Sequence, residues 1–389
     1  MGELIYSGAY TDVPAVERKI STLRLDLQYG CPSVGCSFCK FYQGHKFSNR
    51  PLEEVINTIE TSREIYRHTP FGSPRDDQTI YTQIDHLFLG GADTLRYPAD
   101  DFLKIVTESK ARFEDRIHRV AFYATTNSIL DVSEDFFSRL KEIIPEVVIY
   151  WGIETGNTEL LRYVHKRGSK EEVLAAGEKL NKQEVKISAN VMIGLGEKRF
   201  AAQHVQDTAE VIAKINPRWL NIFPRDYTGT TYEKNVLSDS DNSFLSEEEC
   251  IQQLADFFGS LAKNTLPEKH IGTIASYSPV GMKMEDMAQN LLFLRGDNCT
   301  LEILLNLEKK LNADVRSDYQ RTIFSSPDIL QSEELIAKEL RALQEVLQRR
   351  KEYNRKQAES EATYVKWRNR ALAVLLPAAA VAGVALCLS

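Results

Sequence analysis

The sequence has no excess of positive charge, since 48 Lys and Arg face 55 Asp and Glu for a formal net charge of −7. That balance gives no global attraction for nucleic acid or for an anionic membrane surface. The opening "MGELIYSGAYTDVP" has no basic region followed by an apolar run, so it does not read as a secretory signal. Cysteine is scarce at six residues. In a reducing compartment clustered thiols read as metal ligands or redox groups rather than as a disulfide framework. No second cluster motif exists, because Cys250, Cys299 and Cys387 are scattered.

What is present is concentrated in "GCPSVGCSFCKFYQGHKF", which puts Cys31, Cys36 and Cys39 inside nine residues. Four thiolates would saturate a structural zinc ion or an electron-transfer cluster. Three leave something open, and an open coordination position usually marks catalytic metal work. The loop has a second reading, in which His45 joins the three cysteines in a Cys3His zinc site of a scaffold or interaction protein.

Short apolar runs alternate with amphipathic helical patterns from residue 23 to about 223. The strand candidates are "LRLDLQ", "IDHLFL", "RVAFYAT", "VVIYWGIE", "KISANVMIG" and "RWLNIF". Helices are expected after Pro51, Pro98, Ser133, Ser169 and Phe200. Strand and helix recurring in this order predict an α/β fold of six parallel βαβ units, closed into a barrel or opened into a doubly wound sheet. Parallel strands are normally apolar on both faces. Here Ser188, Asn190 and Met192 oppose Ile187, Ala189, Val191 and Ile193, and Tyr123, Thr125 and Asn221 add polar groups in other strands. A partly open barrel with a wet, ligand-filled interior is the expectation.

The chain divides by pattern into a core at 1–265, a helical accessory region at 266–348, a basic helical linker at 349–370 and an uncharged tail at 371–389. The linker is +5, which leaves −12 for residues 1–348. The 19 tail residues would span about 28 Å as a helix. With Lys366, Arg368 and Arg370 before them, they read as a C-terminal transmembrane anchor on the cytoplasmic face of a membrane. Seven alanines and Pro377 dilute that signal.

The cysteine loop, directly after a first strand, resembles the cluster-binding loop of radical S-adenosylmethionine (SAM) enzymes, in a branch near the elongator-type and coproporphyrinogen-dehydrogenase-type members. Most of that family separate the cysteines by three and then two residues, whereas this chain has four and two. The resemblance implies a partial (β/α)6 barrel of the TIM type, a [4Fe–4S] cluster on Cys31, Cys36 and Cys39, and SAM on the open iron. It also implies roles for the ends of successive strands, where ligands bind in parallel α/β architectures. Gly90 and Gly91 in "FLGGADTL" match the turn that meets the methionine amino group, with Ala92 and Asp93 in place of the common glutamate. Glu154 in "GIETG" matches an acidic contact to the ribose or amino group, and Ile193 and Gly194 in "VMIGLGE" match the segment along the adenine edge. Phe38 matches the aromatic position beside the adenine, and Lys166 or Arg167 in "HKRG" is a candidate partner of the cofactor carboxylate.

By the same resemblance, reductive cleavage of SAM makes a 5′-deoxyadenosyl radical that abstracts hydrogen from a substrate. A low-potential donor such as a ferredoxin or flavodoxin is implied. The tail points to a lipid-like substrate or a membrane-bound partner, and no nucleic acid partner is expected. His204 reads as a structural, helix-facing residue, Tyr42 and Lys46 as residues of a solvated loop, and the Asp- and Gln-rich stretch from Pro70 to Gln83 as a lid or a tolerated insertion.

Overall fold

The computed structural model describes residues 21–264 apart from 34, 43–44, 70–77 and 225–226, together with 14, 17, 273–277, 321–324, 352 and 355. The chain forms two compact units, Met1–Ala337 and Lys338–Ser389. Everything that follows concerns the first.

Its elements run β1 (Thr22–Asp26), β2 (Gln28–Tyr29), β3 (Ser48–Asn49), α1 (Leu52–His68), α2 (Ile80–Gln83), β4 (His86–Gly90), α3 (Ala99–Arg112), β5 (Arg119–Ala124), α4 (Thr126–Asp131) and α5 (Phe136–Ile143). They continue with β6 (Glu146–Glu154), α6 (Thr158–Tyr163), α7 (Lys170–Lys182), β7 (Lys186–Ile193), α8 (Glu197–Ile215), β8 (Trp219–Pro224), α9 (Thr231–Ser238), α10 (Glu247–Asn264), β9 (Thr273–Tyr277) and β10 (Arg321–Phe324). One sheet has the order β1-β4-β5-β6-β7-β8-β9-β10, and β2 pairs with β3 in a separate ribbon. Strands β1 to β9 of the large sheet pair in parallel, and β10 closes its edge antiparallel to β9. All six expected strands, β1 and β4 to β8, are there, each beside the next in the sequence. The result is an α/β fold with a parallel sheet, consistent with a partial TIM-like barrel.

Beyond residue 265, where a helical and less regular pattern is expected, the described residues form two short strands. "TIASY" extends the parallel sheet from the β8 edge, and "RTIF" pairs with it. Runs of four or five residues carry too little periodicity to be told from helix by pattern, and here the edge of β8 supplies hydrogen bonds to β9, which in turn supplies them to β10. No helix among the described residues is long and apolar enough to cross a membrane. The predicted transmembrane tail at 371–389 and the basic linker, apart from Glu352 and Arg355, lie outside the described residues.

Alternation along the strands produces two faces. On β7 Ile187, Ala189, Val191 and Ile193 are all buried, while on the opposite face Asn221 donates from Nδ2 to Ser188 Oγ at 3.0 Å and to Asn190 Oδ1 at 2.9 Å. Nearby on the sheet, Phe88, Tyr123 and Tyr150 pack as one aromatic group. Toward the N-terminal ends of the strands Glu17, fully buried, accepts from Arg119 Nη2 at 2.6 Å and from the Tyr150 hydroxyl at 2.6 Å. Arg24 Nε donates to the Glu17 carbonyl at 3.0 Å. A buried carboxylate is tolerated only when so paired.

Helix α8 begins at Glu197, earlier than expected from Phe200, because Gly196 takes a left-handed conformation that ends the β7 turn. The stretch expected as a lid or insertion ends in packed structure: Tyr81 of α2 is buried and its hydroxyl donates to Glu114 Oε1 at 2.9 Å. Residues 70–77 of that stretch lie outside the described residues.

Candidate active site

The cysteine loop leaves the C-terminal end of β1 and returns at β3. The two-residue β2·β3 ladder staples its ends, and Leu27 N–H donates to the Gly90 carbonyl at 2.8 Å, tying the loop base to the end of β4. Its middle is anchored by Ser37, which is buried and donates both N–H (2.9 Å) and Oγ–H (3.2 Å) to the Val164 carbonyl. The Ser37 carbonyl in turn accepts from Tyr232 N–H at 3.0 Å. Beside it Phe38 packs against a cluster that includes Leu160, Val164, Met192 and Tyr232. A loop of polar and small residues is thus fixed by contacts to α6 and α9.

Cys31, Cys36 and Cys39 are free thiols, each half-buried. Burial pushes the Cys31 thiol up to about 11; the Ser33 N–H opposes this, and Cys36, Cys39 and Asp93 add to it. Burial also raises Cys36, against the pull of Lys166 and with the help of Cys39 and Glu154. Thiols held up in this way lose their protons when a cation arrives to take their charge. Among the described residues the three sulfurs do not form a group whose ligand atoms all lie within 4.8 Å of one another. A single tetrahedral zinc ion with its usual Zn–S bonds needs sulfurs about 3.8 Å apart. Three such thiols on one loop are a donor set for an iron–sulfur cluster.

Lys166 faces these thiols. Its Nζ lies 3.5 Å from Glu154 Oε1, both side chains are largely buried, and Arg167 is exposed. Burial works to lower the Lys166 ammonium, but Glu154 and the three cysteines outweigh it and leave it raised. Burial raises the Glu154 carboxyl, and Lys166 opposes that. Glu154 stands at the end of β6 with φ 65°, a left-handed conformation that costs a non-glycine residue on the order of 1–3 kcal/mol. The strain is sustained by the loop after it. Thr155 accepts from Asn157 N–H at 3.0 Å, and Gly156 N–H donates to Thr208 Oγ1 at 3.0 Å. Gly156 is required there because a Cβ would meet the Asp207 carbonyl oxygen at 2.4 Å. His204 holds the same loop, with Nε2–H donating to the Met192 carbonyl at 2.7 Å and Nδ1 accepting from the Thr155 hydroxyl at 2.8 Å. Its structural reading fits these contacts.

The other expected contacts sit at the same end of the sheet but are differently engaged. Gly91 has φ 153°, and a Cβ there would meet Gln28 Oε1 at 2.6 Å, so the close approach at this glycine is made by Gln28. Gln28 Oε1 also accepts from Asp93 N–H at 3.3 Å, and its Nε2 donates to Asn49 Oδ1 at 3.1 Å. The Asp93 carboxylate, 1 % exposed, accepts from Thr125 N–H (3.2 Å), Thr125 Oγ1 (2.7 Å) and the Ser128 hydroxyl, with Arg96 Nε at 3.7 Å. It thereby fastens the glycine turn to the capping box of α4. Gly194 N–H donates to Gln253 Oε1 at 2.6 Å, and Gly196 N–H to the Tyr232 hydroxyl at 2.7 Å, beside the buried Ile193.

Sequence reasoning passed over Gln28, Ser37, Tyr232 and Gln253. A signal existed for Gln28 alone: in "LRLDLQ" the leucines alternate with Arg24, Asp26 and Gln28, a polar face on a strand otherwise buried.

Residues 26–211, which contain the cysteine loop and the ends of β1 to β7, match the family model of the radical SAM superfamily. That part of the chain is a radical SAM domain. The cofactors of that family are a [4Fe–4S] cluster and SAM. The chain is similar to a tRNA-2-methylthio-N(6)-dimethylallyladenosine synthase of Caldicellulosiruptor saccharolyticus, 24% identical over 216 residues that make up 52% of this chain and 40% of the relative. The chain thus spans less than half the length of that relative. Among solved structures it is similar to coproporphyrinogen III oxidase (HemN) from Escherichia coli, at 14% identity and TM-score 0.45 over 63% of this chain and 52% of that one. It is also similar to the radical SAM methyltransferase TsrM from Kitasatospora setae, at 14% identity and TM-score 0.40 over 56% and 39%.

Proposed function

We propose that this radical SAM protein is an enzyme in which Cys31, Cys36 and Cys39 hold three irons of the [4Fe–4S] cluster and SAM takes the fourth. The observation that carries this is the pinned loop of three half-buried thiols facing the Lys166–Glu154 pair at the C-terminal ends of the strands. When bound, the cluster and SAM supply one-electron cleavage of a carbon–sulfur bond and, through it, hydrogen abstraction from a substrate. The residues of this chain bind and orient. Lys166 offers a cation to the cofactor carboxylate, Glu154 an acceptor to its amino or ribose group, and Phe38 an apolar edge beside its base. The backbone at Gly90, Gly91, Ile193 and Gly194, at the C-terminal ends of β4 and β7, would border the same cofactor. Asp93 acts through the turn it holds, since its oxygens are taken by Thr125 and Ser128.

The substrate is a small molecule, reached from the polar interior marked by Ser188, Asn190 and Asn221, and a low-potential ferredoxin or flavodoxin type donor supplies the electron. The uncharged tail at 371–389 supports placement at the cytoplasmic face of a membrane and a lipid-like substrate. Deleting that tail checks the placement: loss from the membrane fraction supports it, and unchanged recovery there removes it.

Anaerobic reconstitution with iron and sulfide, followed by dithionite and SAM, tests the activity. About four irons per chain and release of 5′-deoxyadenosine are expected. Negligible iron together with stoichiometric zinc that is lost in the Cys31→Ala/Cys36→Ala/Cys39→Ala variant, in protein handled without oxygen, would overturn the reading in favour of the Cys3His site.

A further inference from the structure

The end of the sheet away from the cysteine loop carries a second group of ligand-type side chains. Asp85 immediately precedes β4, His86 opens it, and His118 immediately precedes β5. One donor atom from each lies within 4.8 Å of the other two, the only such group of three among the described residues. The two imidazole rings are 5.0 Å apart between centroids.

The backbone under these side chains is fixed. Asp85 N–H and His86 N–H both donate to the Ser21 carbonyl, at 3.0 and 3.1 Å, and His118 N–H donates to the Asp85 carbonyl at 3.1 Å. Glu146 N–H closes the row on the His118 carbonyl at 3.1 Å. The residues that would share an ion are therefore hydrogen-bonded to one another through the main chain at the start of adjacent parallel strands.

The rings are also oriented. His118 Nδ1 lies 3.3 Å from the Arg116 carbonyl oxygen, which can only accept, so in the neutral ring the proton is on Nδ1 and the lone pair on Nε2. His86 Nδ1 contacts Asp85 Oδ1, so an ion held by these two atoms would take the place of the proton between them and leave the ring N–H on Nε2. An imidazole that ligates a metal commonly gives its second N–H to a backbone carbonyl, as His118 does to Arg116. No Lys or Arg among the described residues pairs with the Asp85 carboxylate, whose ion-pair partner is His86. His86 is 22% exposed and Asp85 42%, and His118 is exposed, so an ion has a way in.

We propose that Asp85, His86 and His118 form a second metal site, for a divalent transition ion of the zinc class. Two imidazole nitrogens and one carboxylate oxygen are a common donor set for zinc, with water in the remaining position. Donor atoms around such an ion lie about 3.3 Å apart, so side-chain rotation within the present spacing suffices to close the site. The ion would join the starts of β4 and β5 and leave the cysteine loop untouched.

The test is zinc binding by equilibrium dialysis to the full chain with its cluster in place, so that the cysteines are occupied, and to the Cys31→Ala/Cys36→Ala/Cys39→Ala variant, in which they are absent. One zinc per chain is expected in both, with affinity at least about tenfold weaker in His86→Ala and in His118→Ala. Because His118 is exposed, His118→Gln keeps the fold and serves as the check on folding, with an unchanged circular dichroism spectrum and the same loss of zinc. Cobalt(II) added to the triple cysteine variant should give the intense visible d–d absorption of a low-coordinate nitrogen and oxygen site, and the His118→Gln background should abolish it. Equal zinc affinity in wild type and His118→Gln overturns the proposal. Retention of zinc in the triple cysteine variant separates this site from the reading of the cysteine loop, since either can fail alone.

Discussion

Lys166 Nζ lies 3.5 Å from Glu154 Oε1, and the ammonium of that pair is raised by the carboxylate and by Cys31, Cys36 and Cys39 together. One lysine thus answers to two acidic groups of different kinds: a carboxylate that bonds to nothing metallic, and thiols that must ionise to bind iron. Burial alone would favour a neutral amine. The surrounding negative charge keeps it a cation.

Replacing that cation should therefore be felt by the cofactor. Lys166→Met is expected to weaken SAM binding by roughly ten- to a hundredfold, the worth of a charge-assisted hydrogen bond. It should also slow alkylation of Cys36 in cluster-free protein, because Lys166 opposes the rise of that thiol. Arg167→Met, at an exposed position, should do neither. Calorimetric titration and timed alkylation read the two effects, and equal behaviour of the two variants would remove Lys166 from the site.

Asp93→Ala should lower stability by about 2 kcal/mol, because the Thr125 amide and two hydroxyls lose a buried acceptor. Its effect on SAM affinity should be the smaller one if the carboxylate works through the turn. Denaturant unfolding and a binding isotherm on the same protein decide between the two roles.

His204 should make the fold acid-sensitive. Burial lowers its ring to about 4, against an ordinary value of 6.5. The unfolded chain then binds a proton that the folded protein refuses, so stability is full above about pH 6.5, falls as pH drops toward 4, and stops falling from this cause below that. The loss is on the order of 3 kcal/mol. His204→Gln keeps a donor for the Met192 carbonyl and an acceptor for Thr155, and is expected to flatten this slope in urea unfolding between pH 4 and 6.5.

Gly156→Ala should cost about 1–3 kcal/mol, because its new carbon would sit 2.4 Å from the Asp207 carbonyl oxygen, a backbone atom that cannot swing aside. Since that loop sustains the left-handed Glu154, SAM affinity should fall as well. A variant that unfolds at the wild-type denaturant midpoint would contradict the crowding seen here.

The sequence by itself determined the number and spacing of the thiols and the existence of six strands, β1 and β4 to β8. These are local properties: three cysteines within nine residues need no partner to be recognised, and apolar runs such as "VVIYWGIE" and "KISANVMIG" announce buried parallel strands through their composition. Tertiary structure alone decided which neighbour each group meets. It turned Lys166 rather than Arg167 toward the thiols, gave the Gly91 approach to Gln28, occupied Asp93 with the cap of α4, and placed His86 beside His118. It also pinned Ser37 to Val164, 127 residues away. The physical reason is the same in each case: a hydrogen bond or ion pair between distant residues leaves no period in the chain, and its partner is set only when strands register and helices pack.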